Sequence, residues 1–112
     1  MSEQMPNAEL AIVDVSKLRD YCLNPDHPRG KHKARVFQSS LNLKQEDAEA
    51  LKAEILAGVC NAPCVAAGVD EYGRRYVVDF SLHWLGQVAT IRTSWIIKEG
   101  EDAPRLTSCY VK

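Results

Sequence analysis

A chain of 112 residues with 46% apolar and 26% charged side chains has the size and composition of one soluble globular domain, able to bury a core without disulfides or a metal. No apolar run approaches the roughly 20 residues needed to span a membrane, and the start Met1-Ser-Glu-Gln-Met-Pro-Asn7 lacks the basic beginning and apolar centre of a signal peptide. The formal charge of −1 speaks against nucleic-acid binding by bulk electrostatics, so an anion site has to come from the local placement of cations.

One domain over residues 1–112 is therefore expected, with residues 1–9 as a loose tail. It is placed in the cytoplasm, unless it travels as cargo within a larger exported protein. Leu10-Ala-Ile-Val13 is apolar enough to cover a sheet edge or pack as a short strand. Ser16 offers an N-cap to a short helix over residues 17–23, whose Leu18, Tyr21 and Cys22 share one face. Asn24-Pro25 ends that helix, because the residue before a proline avoids helical geometry. The loop 26–30 leads to a second helix over residues 31–39, with Ala34 and Phe37 inward and Lys31, Lys33 and Arg35 largely outward. His27-Pro-Arg-Gly-Lys-His-Lys-Ala-Arg35 holds four permanent cations, two histidines and no carboxylate.

A third helix over residues 44–59 is marked by Ala48, Leu51, Ile55, Leu56 and Val59 at three- and four-residue spacing. Glu46 and Asp47 complement the positive end of its dipole, and Asn61 and Pro63 close it. From Cys64 onward the apolar period falls to two, giving strands over 65–69, 75–82, 88–97 and 105–111. Residues 70–73 form a hairpin turn, and residues 83–86 and 98–104 make the other links. Links this short favour antiparallel pairing, so the expected class is α+β, with N-terminal helices packed on a four-stranded antiparallel meander.

The last two strands carry the first functional signal. Alternation puts Thr90, Arg92 and Ser94 on one face and Ile91, Thr93, Trp95 and Ile97 on the other, while Arg105, Thr107 and Cys109 share a face. Two neighbouring guanidinium groups among hydroxyls suit a phosphate or carboxylate, because arginine donates in a fixed fork and hydroxyls add neutral hydrogen bonds. The same alternation is also that of an ordinary sheet with one wet face. By parity Tyr110 belongs with the core unless a bulge turns it.

If the basic segment lies against this face, His27, His32 or His83 could act as acid or base and Lys31 could meet a phosphate. Cys22, Cys60, Cys64 and Cys109 are expected as reduced, mostly buried thiols. A zinc site would need more ligands at closer spacing, and Asp70, Glu71 and Asp79 are too scattered for a two-metal carboxylate site, so no metal is assigned. No cofactor is assigned either. The chain has no Gly-Lys-Ser/Thr phosphate loop, no Gly-x-Ser-x-Gly elbow and no His-Glu-x-x-His helix.

The motifs Lys17-Leu-x-x-Tyr21, Leu23-Asn-Pro-x-His-Pro-x-Gly-Lys31, Lys33-Ala-Arg-x-Phe37, Tyr76-Val-Val-Asp79, Arg92-Thr-x-Trp-Ile-Ile97 and Pro104-Arg-Leu-Thr107 together resemble a small bacterial domain family of uncharacterised function. That family occurs alone and at the C-termini of polymorphic toxins. Its order of elements looks like the barnase, EndoU, colicin and RelE-like ribonuclease fold. The resemblance implies metal-independent cleavage of RNA, with a small neutralising or cognate protein as partner. Carried over to these positions, it implies His27 or His32 as acid or base, with Lys31, Arg92 and Arg105 on the phosphate charge. Thr107 would position the phosphate, while Lys33 and Arg35 would hold the RNA backbone. The competing expectation is a non-catalytic interaction module, immunity-like or accessory, whose Arg and hydroxyl face meets a protein.

Overall fold

The change of apolar period at Cys64 divides the chain into two layers in the computed structural model, which describes residues 4–112. After a 3-10 turn over Ala8–Leu10, the helical layer has a single α-turn α1 (Val15–Lys17) that widens into a π-helical turn, Leu18–Cys22. It continues with α2 (Lys31–Leu41) and, after a 3-10 turn over Gln45–Asp47, with α3 (Ala48–Val59). The sheet layer is a meander of β1 (Cys64–Asp70), β2 (Gly73–Trp84), β3 (Gln87–Lys98) and β4 (Arg105–Val111), paired antiparallel in the order β1-β2-β3-β4. The expected α+β class is the observed one.

Helix boundaries differ from the periodicity where side chains cap the backbone. Asp14, not Ser16, caps the first turn: its Oδ1 accepts from the Ser16 amide at 3.0 Å and from the Ser16 hydroxyl at 2.7 Å. At the third helix Asp47 Oδ2 accepts from the Lys44 amide at 2.9 Å. Of the loose start expected over residues 1–9, residues 1–3 lie outside the described residues, whereas Met5 and Ala8 are buried in the core. Ile12 then forms a parallel bridge to Arg105 and covers that end of the β4 edge.

The core lies between the layers, with α2 packed on β3 and β4 and α3 on β2. Leu18, Phe37, Leu41, Leu51, Ile55 and Val59 meet Val78, Phe80, Leu82, Ile91, Trp95 and Leu106 there. Thr93 is the buried polar residue of this face: its hydroxyl donates to the Val78 carbonyl at 2.7 Å and accepts from Trp95 Nε1 at 2.7 Å. Both tryptophan and threonine are thereby satisfied where no water reaches.

β2 and β3 run further than their alternation suggested. They pair from Gly73↔Lys98 to Trp84↔Gln87, and the link shrinks to Leu85-Gly86, both at positive φ (50° and 80°). That is the mirror-image turn whose twist suits a two-residue hairpin. At the other end Asp70 Oδ1 accepts from the amides of Tyr72 and Gly73, closing the β1–β2 turn.

A bulge in β4 corrects the expected face of three residues. Ser94 pairs with Ser108 and Trp95 with Leu106, so Thr107 is the extra residue between them and the side-chain parity of β4 inverts there. Cys109 therefore opposes Thr93 and is fully buried, and Tyr110 opposes Arg92 on the sheet's other face.

Candidate functional site

The cationic corner forms where the basic helix meets the edge strand. On α2 successive side chains turn by about 100°, so Phe37, Ala34 and Leu41 point into the core and Lys33 projects to one side of them. Lys31 projects to the opposite side, while His32 and Arg35 are exposed. The acid-free segment is thus not one patch, and Lys33 is its contribution to the sheet edge rather than an outward cation. Its ammonium lies 5.1 Å from the ring centroid of Tyr21 and 5.6 Å from that of Tyr110. Tyr21 comes from the π-helical turn and Tyr110 from β4, so two elements hold one lysine by their ring faces.

Tyr110 connects that lysine to Arg92, its cross-strand neighbour. The Arg92 guanidinium donates to Asp79 twice, from Nε to Oδ1 and from an Nη to Oδ2, both at 2.9 Å. Asp79 also accepts from Lys112 Nζ at 3.2 Å. Hydrogen bonding by Asp79 foremost, then by the Tyr110 hydroxyl, holds the Arg92 guanidinium protonated above its ordinary range. The same bond from Arg92, with a second from Lys112, keeps the Asp79 carboxyl below the usual carboxylate range against the opposing effect of burial. Arg92 and Lys112 thus stand around one carboxylate, while Lys33 lies against the ring of Tyr110, the cross-strand neighbour of Arg92.

His27 is committed to the backbone. Its Nδ1 accepts from the amides of Arg29 and Gly30, each at 3.0 Å, so the neutral ring carries its proton on Nε2. Its carbonyl accepts from the Lys31 amide at 2.9 Å and its ring meets Tyr21 edge-on with centroids 4.6 Å apart. The histidine builds the turn that starts α2, and accepting a proton at Nε2 would require a tautomer that breaks both bonds to Nδ1. Gly30 is needed in that turn because an added Cβ would collide with the backbone carbonyl of Tyr21.

Arg105 and Thr107 stand apart from this corner. Arg105 pairs with Ile96, four residues along β3 from Arg92 and hence about 13 Å away. Its Nε donates to Glu101 at 3.0 Å. The Thr107 hydroxyl donates to the Ser94 carbonyl at 3.1 Å and lines, with Ile12, Lys17 and Arg105, a separate depression. The expected pairing of two arginines on one patch is therefore corrected: the bulge and the length of the strand put them at different ends. His83 is exposed near the β2–β3 turn. Tyr21, Asp79 and Lys112 were not foreseen in the site, and the signal for Tyr110 was the bulge that its parity required.

Among the described residues no group of three or more His, Cys, Asp or Glu side chains could hold a metal ion, and no helix is long and apolar enough to cross a membrane. A family model described as Domain of unknown function (DUF6883) matches residues 4–112. The chain belongs to that family. No curated protein and no solved structure matches it. The match takes in both layers, including Tyr21, Lys33, Arg92 and Tyr110.

Proposed function

We propose that the chain is an RNA-binding domain with metal-independent endoribonuclease activity, acting where Lys33, Tyr110 and Arg92 converge. The observation that carries this reading is the position of the Lys33 ammonium, 5.6 Å from the ring of the tyrosine that opposes Arg92. Two cations beside a phenol can bind a phosphate, and the aromatic faces of Tyr21 and Tyr110 are surfaces on which unpaired bases stack. In the step proposed, the 2′-hydroxyl oxygen attacks phosphorus and its proton passes to water. The bond to the 5′-oxygen breaks, and that oxygen takes the Tyr110 proton, leaving a 2′,3′-cyclic phosphate and a 5′-hydroxyl. Lys33 and Arg92 face both the phosphorane charge and the phenolate left on Tyr110. His32 and Arg35, exposed on α2, then serve as contacts for the RNA backbone beyond this corner, Lys31 on the opposite side of the helix takes no part, and His27 serves the turn.

Incubation of labelled single-stranded RNA with the chain in EDTA tests this. Cleavage is expected, and Lys33→Ala should weaken binding uniformly over sequences and lower the salt slope by about 1. The toxin-type role and the neutralising partner belong to the same proposal: expression of the chain alone should arrest growth. A non-catalytic interaction module is the second reading. It is favoured by β1, an edge strand whose Val65 and Val69 are 68% and 77% exposed and whose outer backbone groups could pair with a partner strand. Intact RNA at equimolar chain favours that reading.

A further inference from the structure

Arg105 and Thr107, which the length of β3 separates from the corner at Arg92, line a depression of their own, about 200 Å³ in volume. The stretch before α1 closes one side of it. There the Ile12 amide donates to the Pro104 carbonyl at 2.8 Å and the Leu106 amide donates to the Ile12 carbonyl at 3.0 Å, so this stretch is tied to the start of β4. From α1 comes Lys17, from the end of β3 come Ile96 and Lys98, and from β4 come Arg105, Leu106 and Thr107. Ile96 and Leu106 are buried, which makes part of the lining apolar and fixed.

The cations of this depression are not used up by the carboxylates near them. Arg105 donates to Glu101 through Nε at 3.0 Å, a bond that orients the guanidinium and leaves both Nη groups without a hydrogen bond among the described residues. Asp14, the carboxylate in the lining, accepts at Oδ1 from the amide and the hydroxyl of Ser16. Lys17 and Lys98 are exposed and enter no ion pair among the described residues. The Thr107 hydroxyl gives its proton to the Ser94 carbonyl and so shapes the wall. Three cationic groups from three elements therefore face one small space, with two carboxylates that are each already bonded.

We propose that this depression is a binding site for a phosphate monoester group. A monoester presents three terminal oxygens and a charge of about −1.5 to −2 at neutral pH, which suits donors arriving from α1, β3 and β4. The Nη groups of Arg105 supply a two-pronged contact, and Lys17 and Lys98 act as compact point charges. A carboxylate has two oxygens in one plane, and a phosphodiester has two terminal oxygens and a single charge, so either leaves a cation unused. The volume is below the roughly 300–1,000 Å³ of pockets that enclose drug-sized ligands. The phosphate group thus enters while the rest of its molecule, either a small phosphate compound or the 5′ end of an RNA strand, stays outside. The site lies four residues along β3 from Arg92, about 13 Å away, and it stands whether or not the corner at Tyr110 cleaves RNA.

The full chain, labelled with nitrogen-15, is titrated with inorganic phosphate, methyl phosphate and dimethyl phosphate at neutral pH, with ionic strength held constant by sodium chloride. Amide shifts read both affinity and place. Saturable shifts are expected at Ile12, Lys17, Lys98 and Arg105 with phosphate and methyl phosphate, and dimethyl phosphate should bind there about 10-fold more weakly. Lys17→Ala and Lys98→Ala, at exposed positions, should each weaken methyl phosphate by about 10-fold with the remaining spectrum unchanged, and Lys98→Arg should retain binding. A short 2′-O-methyl oligonucleotide with a 5′-phosphate, which no 2′-hydroxyl attack can cleave, separates the two sources. Tighter binding than methyl phosphate at the same amides marks the RNA end, binding no tighter marks a small phosphate compound, and both support the site. Shifts confined to Lys33, Arg92 and Tyr110, shifts that added chloride reproduces, dimethyl phosphate bound as tightly as methyl phosphate, or unchanged affinity in both alanine variants each overturns the proposal. None of these measurements reads cleavage, so their outcome is separate from that of the Tyr110 site.

Discussion

Replacement of Thr93 by valine tests whether the polar pair in the core is held as the hydrogen bonds require. Valine matches threonine in shape, so no cavity opens, but Trp95 Nε1 loses its acceptor inside a site where Thr93 and Trp95 are 0% and 1% exposed. A stranded buried donor costs about 1–3 kcal/mol, and exchanging the hydroxyl for a buried methyl returns about 0.8 kcal/mol. The net loss is about 0.2–2.2 kcal/mol. With an unfolding entropy of about 2.1 cal/mol/K per residue, the 112 residues convert this to a fall in Tm of about 1–9 °C. Thermal unfolding followed by near-ultraviolet circular dichroism reads the shift, and a double-mutant cycle isolates its cause. In a Trp95→Phe background the donor is absent, so Thr93→Val should cost less than about half of its cost in the parent. Equal costs in the two backgrounds, or a Tm unchanged by Thr93→Val, would refute the assignment of the bond.

Gly30→Ala should destabilise by about 1–3 kcal/mol, read as a lower urea midpoint, because its Cβ would meet the Tyr21 carbonyl and backbone cannot step aside cheaply. Asp79 has a folded-state pKa below its ordinary value of 3.8. Its contribution to stability is therefore full above that value and lost as pH falls through the lowered one. The acid limb of stability against pH should accordingly be shallower in Asp79→Asn than in the parent, and parallel limbs would contradict the ion pairs assigned to this carboxylate. Leu85→Asn should raise stability by about 0.5–1 kcal/mol, measured by urea titration. Leu85 is 73% exposed at φ 50°, and asparagine before Gly86 is the residue that this turn favours.

The strands were legible because their alternation is a property of single residues, and Trp95 and Ile91 fell on the face opposite Arg92 that alternation assigned to them, which is the core face. Thr107 defeated the same reasoning. A bulge depends on how two strands pair, and nothing in Arg105-Leu-Thr-Ser-Cys-Tyr110 marks one extra residue against Ser94 and Trp95. From that single unseen residue followed the misplacement of Cys109 and Tyr110. The face shared by Arg92 and Arg105 failed for a different reason, since parity says which side a residue faces and not how far along the strand it lies. Lys33 was readable as a cation but not as a partner of Tyr21 and Tyr110, because that contact joins a turn, a helix and a strand far apart in sequence. His27 carried the right chemistry for catalysis, yet the amides of Arg29 and Gly30 engage its Nδ1. Such local side-chain to backbone bonds are common at turns and leave no trace in spacing.

The most direct test of the proposed site is the rate at which the Tyr110→Phe chain cleaves a labelled single-stranded RNA in EDTA, measured beside the unaltered chain. Phenylalanine keeps the ring against Lys33 and removes the proton donor. The prediction is a 2′,3′-cyclic phosphate product from the unaltered chain and a rate lower by about 100-fold or more in the variant, with RNA affinity retained. Cleavage by Tyr110→Phe at the full rate, or RNA left intact by the unaltered chain, would contradict it.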